Sequence, residues 1–390
     1  MNAWKKIACG LLIGYASVAA PSYAEEPKEP PVAEEKVAAP KVDIVFVLDT
    51  TGSMGSLLEG AKRKIWSITN EVLRGKPTPE VRIGLVAYRD LKDDYVTQVT
   101  DLTDDLDGVY KKLKEFRAGG GGDGPEHVNQ GLKDAIEKVN WSPEKEALRI
   151  VFLVGDAPPH EDYGDAFDHK SLAKQAIEKD IIVNAIRCGN NAETGKVWEE
   201  IAKRSEGTFV TIDQGGGVTA VATPFDKELA ELGTKLDGTV MAFGEREDRL
   251  RRKAAKDESA EALSAAPEDA KADRAGAAAK APGSPGGGRG DDGGDLVGAV
   301  EGGKKKLEEL KQEELPDEMQ KMTPEERKAY LDAKIKEREE IRKKIAELDA
   351  KRADYLKKEM EKLGDKDSFD KAVNRAIHEQ AEKKGIKFDE

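Results

Sequence analysis

The stretch Asp43-Ile-Val-Phe-Val-Leu-Asp-Thr-Thr-Gly-Ser-Met-Gly-Ser56 decides the reading of this chain. Its apolar part, Val42 to Leu48, has the Val, Ile, Leu and Phe content of a strand buried on both faces of a parallel sheet. Ligands of such sheets gather at the carboxyl ends of the strands. Here the strand runs into Asp49, Thr51 and Ser53, oxygen-bearing side chains at alternate positions, which an extended turn points to one side. Gly52 and Gly55 leave room beside them. One carboxylate and two hydroxyls make a hard oxygen surface that suits Mg²⁺ or Mn²⁺ rather than Zn²⁺. The plainer use of Asp49 and Ser53 is to cap the helix that follows.

Working outward, strands alternate with helices. Leu57, Leu58, Ala61, Ile65, Ile68 and Val72 recur at helical spacing, and Gly75 and Pro77 stop that helix. Val81 to Tyr88 reads as a strand and Tyr95 to Thr100 as a short edge strand. Helices are predicted over Leu106 to Phe116 and from Pro125 to about Val139. Strand Leu148 to Val154, a helix over Ser171 to Lys179, strand Ile181 to Ile186, a helix near Glu193 to Arg204, strand Thr208 to Ile212 and a helix over Thr219 to Leu236 complete the order. The fold class is therefore α/β, a doubly wound, mostly parallel sheet. The glycine run Gly119 to Gly122 is not followed by Gly-Lys-Ser/Thr, and no G-x-G-x-x-G follows the first strand, which disfavours a nucleotide site. A close backbone approach to the ion is the better use of those glycines.

The order D-x-T-x-S after an apolar strand resembles the metal-ion-dependent adhesion site of von Willebrand factor A domains. Further segments of that pattern follow in order. Asp156, in Leu148-Arg-Ile-Val-Phe-Leu-Val-Gly-Asp-Ala-Pro-Pro-His160, matches the family's later aspartate. In Gly119-Gly-Gly-Gly-Asp-Gly-Pro-Glu126, Asp123 stands where the family usually has a threonine, with Glu126 the alternative if the alignment slips. The resemblance covers roughly residues 40 to 238. It implies a Rossmann-like fold, a divalent ion held by Asp49, Thr51, Ser53, Asp123 and Asp156, and recognition of a protein or surface ligand through it.

Composition points to a soluble, exported chain. Of 390 residues, 36% are charged and 38% hydrophobic, and the formal net charge of −13 argues against nucleic acid as partner. Met1-Asn-Ala-Trp-Lys-Lys6, the apolar Ile7 to Ala20 and Ser22-Tyr23-Ala24 read as a secretory signal ending at residue 24, too short to anchor in a bilayer. Export places the protein in the periplasm, the cell envelope or outside the cell. Cys9 lies too near the charged start for a lipid attachment site, and only Cys188 then remains, a thiol expected to be buried and inert. No Cys/His spacing suggests zinc. His160 is expected on a loop surface.

The remaining organisation is a Pro/Glu-rich linker over residues 25–41, the α/β domain over 42–240, a low-complexity linker over 245–303 and a charged helical tail over 304–390. The linker is expected to be disordered, being Ala, Gly, Pro and mixed charge. Its Arg289-Gly290-Asp291 is read as an accident of composition. Thr323-Pro324-Glu325-Glu326 starts a long helix with a capping box. Leu331, Ile335, Ile341, Ile345, Leu348, Tyr355, Leu356 and Met360 form a thin stripe that Arg338 and Arg352 interrupt, so a weak coiled coil or surface helix is expected, available to dock a partner or self-associate. A shorter helix from about Ser368 is expected to fold back on it as a hairpin.

Function thus reduces to three classes. The first is a metal-dependent binding domain. The second is an envelope scaffold acting through its helical tail, and the third, ranked last, a metal-dependent hydrolase, since no Ser/His/Asp or Cys/His arrangement is visible. A non-enzymatic role is the expectation.

Overall fold

In a computed structural model of the protein, residues 39–122, 124–217, 220–281, 294–363 and 368–388 are described. The expected signal segment, most of the Pro/Glu linker and the Arg289-Gly290-Asp291 tripeptide lie outside them. The first part of the chain builds β1 (Lys41–Asp49), α1 (Gly55–Val72), β2 (Glu80–Tyr88), β3 (Thr97–Thr103), α2 (Leu106–Glu115) and α3 (Val128–Glu137). It continues through β4 (Leu148–Gly155), α4 (His169–Glu178), β5 (Ile181–Cys188), α5 (Ala192–Arg204), β6 (Phe209–Ile212) and α6 (Asp226–Asp237).

The six strands form one sheet in the order β3-β2-β1-β4-β5-β6, parallel except for the antiparallel edge strand β3. Strand β1 is central, with Asp49 opposite Tyr88 on β2 and Leu48 opposite Val154 on β4. Period-two alternation divides the core. Ile44, Phe46 and Leu48 face one layer, with Leu57 and Ile65 of α1 and Tyr110 of α2. Val45 and Val47 face the other, with Leu132 of α3, Leu172 of α4 and Trp198 of α5. Asp43 on β1 is fully buried and is answered there by a two-pronged Arg82 at 2.9 and 2.7 Å. Cys188 is buried at the end of β5, as expected, and burial raises its pKa.

The C-terminal half departs from the reading of an unstructured linker and a separate tail. Within residues 245–303, helices α7 (Arg246–Ser264), α8 (Glu268–Lys280) and α9 (Leu296–Glu301) form, with residues 282–293 outside the described part. Helix α8 escapes a composition-based reading because its packing face is alanine: Ala270, Ala272, Ala275 and Ala277 are all buried, between α1, α6 and the later long helix. Small faces bring helix axes close and bury surface without large side chains. Gly233 of α6 sits so near that an added Cβ would lie 3.0 Å from Ala275 Cβ.

The long helix α10 (Pro324–Leu363) starts at the expected capping box: Glu326 N–H donates to Thr323 Oγ1 at 3.3 Å, and Thr323 N–H to Glu326 Oε2 at 2.8 Å. It is not a bare surface helix. Arg352, one of the residues that break its stripe, is buried and pairs with Asp226 of α6 and Asp273 of α8 at 2.6 and 2.5 Å. Arg338 likewise reaches Asp295 at 2.6 Å and the carbonyl of Thr239 at 2.8 Å. The last helix, α11 (Phe369–Glu382), does not fold back on α10 as a hairpin. It packs on α1 and the sheet, with the Phe369 ring 6.0 Å from Phe46. Its stripe of Phe369, Val373, Ala376 and Ile377 is buried in the same core layer as β1. The sheet offered that stripe a larger apolar face than the charged long helix could.

Candidate metal site at the strand ends

The loops at the carboxyl ends of β1, β2 and β4 meet above the sheet. Asp49 ends β1 fully buried, and both the backbone N–H and the hydroxyl of Thr51 donate to its Oδ1, at 2.8 and 2.6 Å. Ser53 Oγ lies 3.5 Å from Thr51 Oγ1. The alternate spacing thus gathers these three side chains as expected. The other oxygen of Asp49, Oδ2, is buried with no hydrogen-bond partner. Gly155 is required beneath it: an added Cβ would lie 2.9 Å from Asp49 Cβ and collide with the Tyr88 hydroxyl.

Asp156 follows directly, less buried than Asp49, and its Oδ2 accepts from the Gln214 side-chain amide at 2.5 Å. The glycine run laces onto the β1 loop, with Gly119 N–H donating to Thr50 O at 3.1 Å and Gly52 N–H to Gly120 O at 3.3 Å. Gly120 and Gly121 have φ of 75° and 74°, a left-handed conformation that side chains resist. Asp123 lies outside the described residues. Glu126 is described, and its position is telling. It is 5% exposed, its Oε2 has no partner, and a Cβ on Gly121 would lie 2.9 Å from its Oε1 and 3.4 Å from Thr51 Cβ.

Two carboxyl groups are crowded here. Burial, opposed by the Thr51 hydrogen bonds and reinforced by Asp156, pushes Asp49 up to about 7. Burial, then the charges of Asp49, Asp90, Asp93 and Asp156, pushes Glu126 up to about 8. Nearby, Tyr163 Oη donates to both oxygens of Asp90, at 2.6 and 2.7 Å, and stacks on His160, which is buried rather than on the surface and bonds Asp162 at 2.8 Å. Asp93 Oδ2 accepts from Gly121 N–H at 2.9 Å.

Asp90, Asp93, Tyr163 and Gln214 are not among the residues that the sequence pattern singles out. Asp90 and Asp93 were findable, because Arg89-Asp-Leu-Lys-Asp-Asp94 follows a parallel strand at the same edge. Nothing in the sequence marks Gln214.

A strand order of 3-2-1-4-5-6 with an acidic, hydroxyl-bearing loop after the central strand agrees with the match of residues 43–223 to the von Willebrand factor A domain family. Those residues are a von Willebrand factor A domain. The relatives of this A domain include the alpha-protein kinase vwkA of Dictyostelium discoideum, 31% identical over 121 residues, which are 30% of this chain and 19% of that protein. Human von Willebrand factor A domain-containing protein 7 is 34% identical over 122 residues, 31% of this chain and 12% of that one. The chain therefore spans only those small shares, 19% and 12%, of these relatives' lengths. Among solved structures, proximal thread matrix protein 1 from the mussel byssus with zinc occupied MIDAS motif is 17% identical, covering 45% of this chain and 42% of that chain, with a TM-score of 0.36.

As to what the A domain's site can hold, among the described residues no three His, Cys, Asp or Glu side chains are grouped as a metal centre. The donor set here is instead mixed carboxylate and hydroxyl, the chemistry of Mg²⁺ or Mn²⁺. The partnerless, fully buried Asp49 Oδ2 fits such an ion, since a buried carboxylate oxygen costs free energy unless something answers it. Among the described residues no helix is long and apolar enough to cross a membrane.

Proposed function

We propose that this chain is a non-enzymatic, exported binding protein whose A domain recognises a protein or envelope ligand through a divalent ion at the strand ends. Asp49, Thr51, Ser53 and Asp156 would hold the ion, with Asp123 as the glycine-loop ligand and Glu126 close by. Mg²⁺ or Mn²⁺ bound there supplies a positive centre with a coordination position left for a ligand oxygen. Thr51 fixes Asp49 by two hydrogen bonds, so the carboxylate is held in one orientation before anything binds. The single observation that carries the reading is Asp49 Oδ2, buried without a partner beside those hydroxyls.

A binding role is favoured over hydrolysis because the nearby histidines, His127 and His160, are buried. His160 is held by Asp162 and the Tyr163 ring, and His127 is 4% exposed. The scaffold reading, in which the tail acts alone, is weakened by the burial of α8, α10 and α11 against the A domain. Export rests on the basic, apolar and small-residue order of residues 1–24. To test the binding role, immobilised protein is exposed to envelope extract with Mg²⁺ or with chelator, and retained proteins are identified. A ligand retained by wild type with Mg²⁺ and lost with both chelator and Asp49→Ala is expected. Equal retention in all three would overturn the metal-dependent role.

A further inference from the structure

Three features of the strand-end loops concern the charge of what binds there. First, Glu126 adds a carboxylate that the D-x-T-x-S pattern does not contain. Its backbone is clamped from both sides, with Glu126 N–H donating to Pro158 O at 2.9 Å and His160 N–H to Glu126 O at 3.1 Å. The side chain is thereby held in the buried space beside Gly121 and Thr51, with Oε2 unpartnered.

Second, the two arginines of these loops are committed away from Glu126. Arg89 is 6% exposed and turned inward, donating to Thr50 O at 3.2 Å and Arg117 O at 2.6 Å with its guanidinium 4.5 Å above the Tyr95 ring. Arg117 is spent on the carbonyls of Lys114 and Phe116. Around the rim stand Asp90, Asp93 and Asp94, the last with a side chain 93% exposed and 3.6 Å from the Arg89 guanidinium.

Third, the outer carboxylate already accepts from an amide N–H. Gln214 Nε2 sits on Asp156 Oδ2 at 2.5 Å from an exposed loop after β6.

A doubly charged ion balances two carboxylates, and beside a bound ion, which favours their charged forms, the described site presents three, Asp49, Asp156 and Glu126, before Asp123 is counted. At least one negative charge is left over in a half-buried setting, where a ligand carboxylate meets repulsion and a cation attraction. Resting on the ion site proposed above, we infer that this face selects a partner segment presenting a lysine or arginine side chain, whose N–H groups replace the Gln214 amide on Asp156. Glu126 is the specificity-determining residue, because it supplies the surplus charge without being exposed enough to make the contact. Neutral oxygen donors, a backbone carbonyl or a hydroxyl, complete the ion's coordination.

The test uses the full chain in Mn²⁺ and two labelled peptides, Ac-Gly-Ser-Lys-Gly-Arg-Gly-amide and Ac-Gly-Ser-Glu-Gly-Asp-Gly-amide, followed by anisotropy. Wild type binds the basic peptide and not the acidic one. Glu126→Gln weakens the basic peptide about tenfold. Glu206→Gln, an equal change of net charge on the turn before β6 at the far edge of the sheet, changes it by less than about twofold. Gln214→Ala, an exposed change, tightens the basic peptide by removing its competitor. A preference for the acidic peptide, or equal losses in Glu126→Gln and Glu206→Gln, overturns the inference. Should Glu126→Gln fail to fold, an unchanged affinity in Gln214→Ala overturns it instead. A parallel Mn²⁺ titration separates the two failures: no bound Mn²⁺ removes the ion site and this inference together, whereas bound Mn²⁺ with acidic preference removes this inference alone.

Discussion

The Thr51 hydroxyl donates to Asp49 Oδ1 at 2.6 Å while the neighbouring Oδ2, equally buried, has no partner. A carboxylate half satisfied in this way is oriented by the protein and completed by something else. That pair accounts for why the site tolerates an acid at 0% exposure, and it sets the pH behaviour of the domain.

Without a divalent ion, stability should fall as pH rises. Asp49 and Glu126 are held up to about 7 and about 8, above the ordinary carboxylate range, so the folded state keeps protons that the unfolded chain has released. Their contribution is full below the unfolded pKa and is lost as pH climbs through the folded values. Melting in chelator from about pH 5 to about pH 8 should show a declining Tm, with a shallower slope in Asp49→Asn. A wild-type slope no steeper than the variant's would contradict the crowding described at Asp49.

The buried arginines of α10 should matter far more than surface ones. Removing Arg352 strands Asp226 and Asp273 at 3% and 5% exposure. Arg352→Ala is expected to cost about 3–5 kcal/mol in urea unfolding. Arg204→Ala, which breaks an exposed pair with Glu200, should cost under about 1 kcal/mol. Similar losses for the two would mean that the α6–α8–α10 packing is not held as described.

The α/β domain should not stand as a fragment. Ending the chain at residue 240 removes α11 from Phe46 and takes Arg274 from Asp107, which it grips with two bonds at 2.7 and 2.6 Å. Phe369→Ala in the full chain should cost about 3–5 kcal/mol, and residues 39–240 alone should melt lower or aggregate. A fragment of 39–240 with the full chain's melting temperature would show that the helical half is an independent body.

Most of the sheet was legible because β1, β2, β4 and β5 are apolar strands bounded by turn residues, and parallel order follows from alternation with helices. The edge strand was placed two residues early, at Tyr95 rather than Thr97, because its period-two pattern is short. Asp49, Thr51 and Ser53 were legible by spacing, and Asp156 by its place after β4. Glu126 was legible only as an alternative to Asp123, which lies outside the described residues, because sequence spacing alone does not show that the Glu126 side chain is buried. The helical half departs from its sequence pattern for a different reason. Composition rules weigh large apolar side chains, whereas α8 packs through alanines and α10 through arginines whose partners, Asp226, Asp273 and Asp295, are remote in sequence. A charge that interrupts an apolar stripe reads as exposure until its partner is known.

The central claim is an ion held through Asp49, and a Mn²⁺ titration followed by electron paramagnetic resonance, with Mg²⁺ as competitor, tests it most directly. The account predicts one saturable Mn²⁺ per chain, displaced by Mg²⁺, with a higher Tm when bound, because an ion that binds only the folded state stabilises it by mass action. Asp49→Ala should remove the binding while leaving the ion-free Tm equal or higher, since it deletes a buried carboxylate with an unanswered oxygen. Saturable Mn²⁺ binding that survives Asp49→Ala, or none in the wild type, would contradict the account.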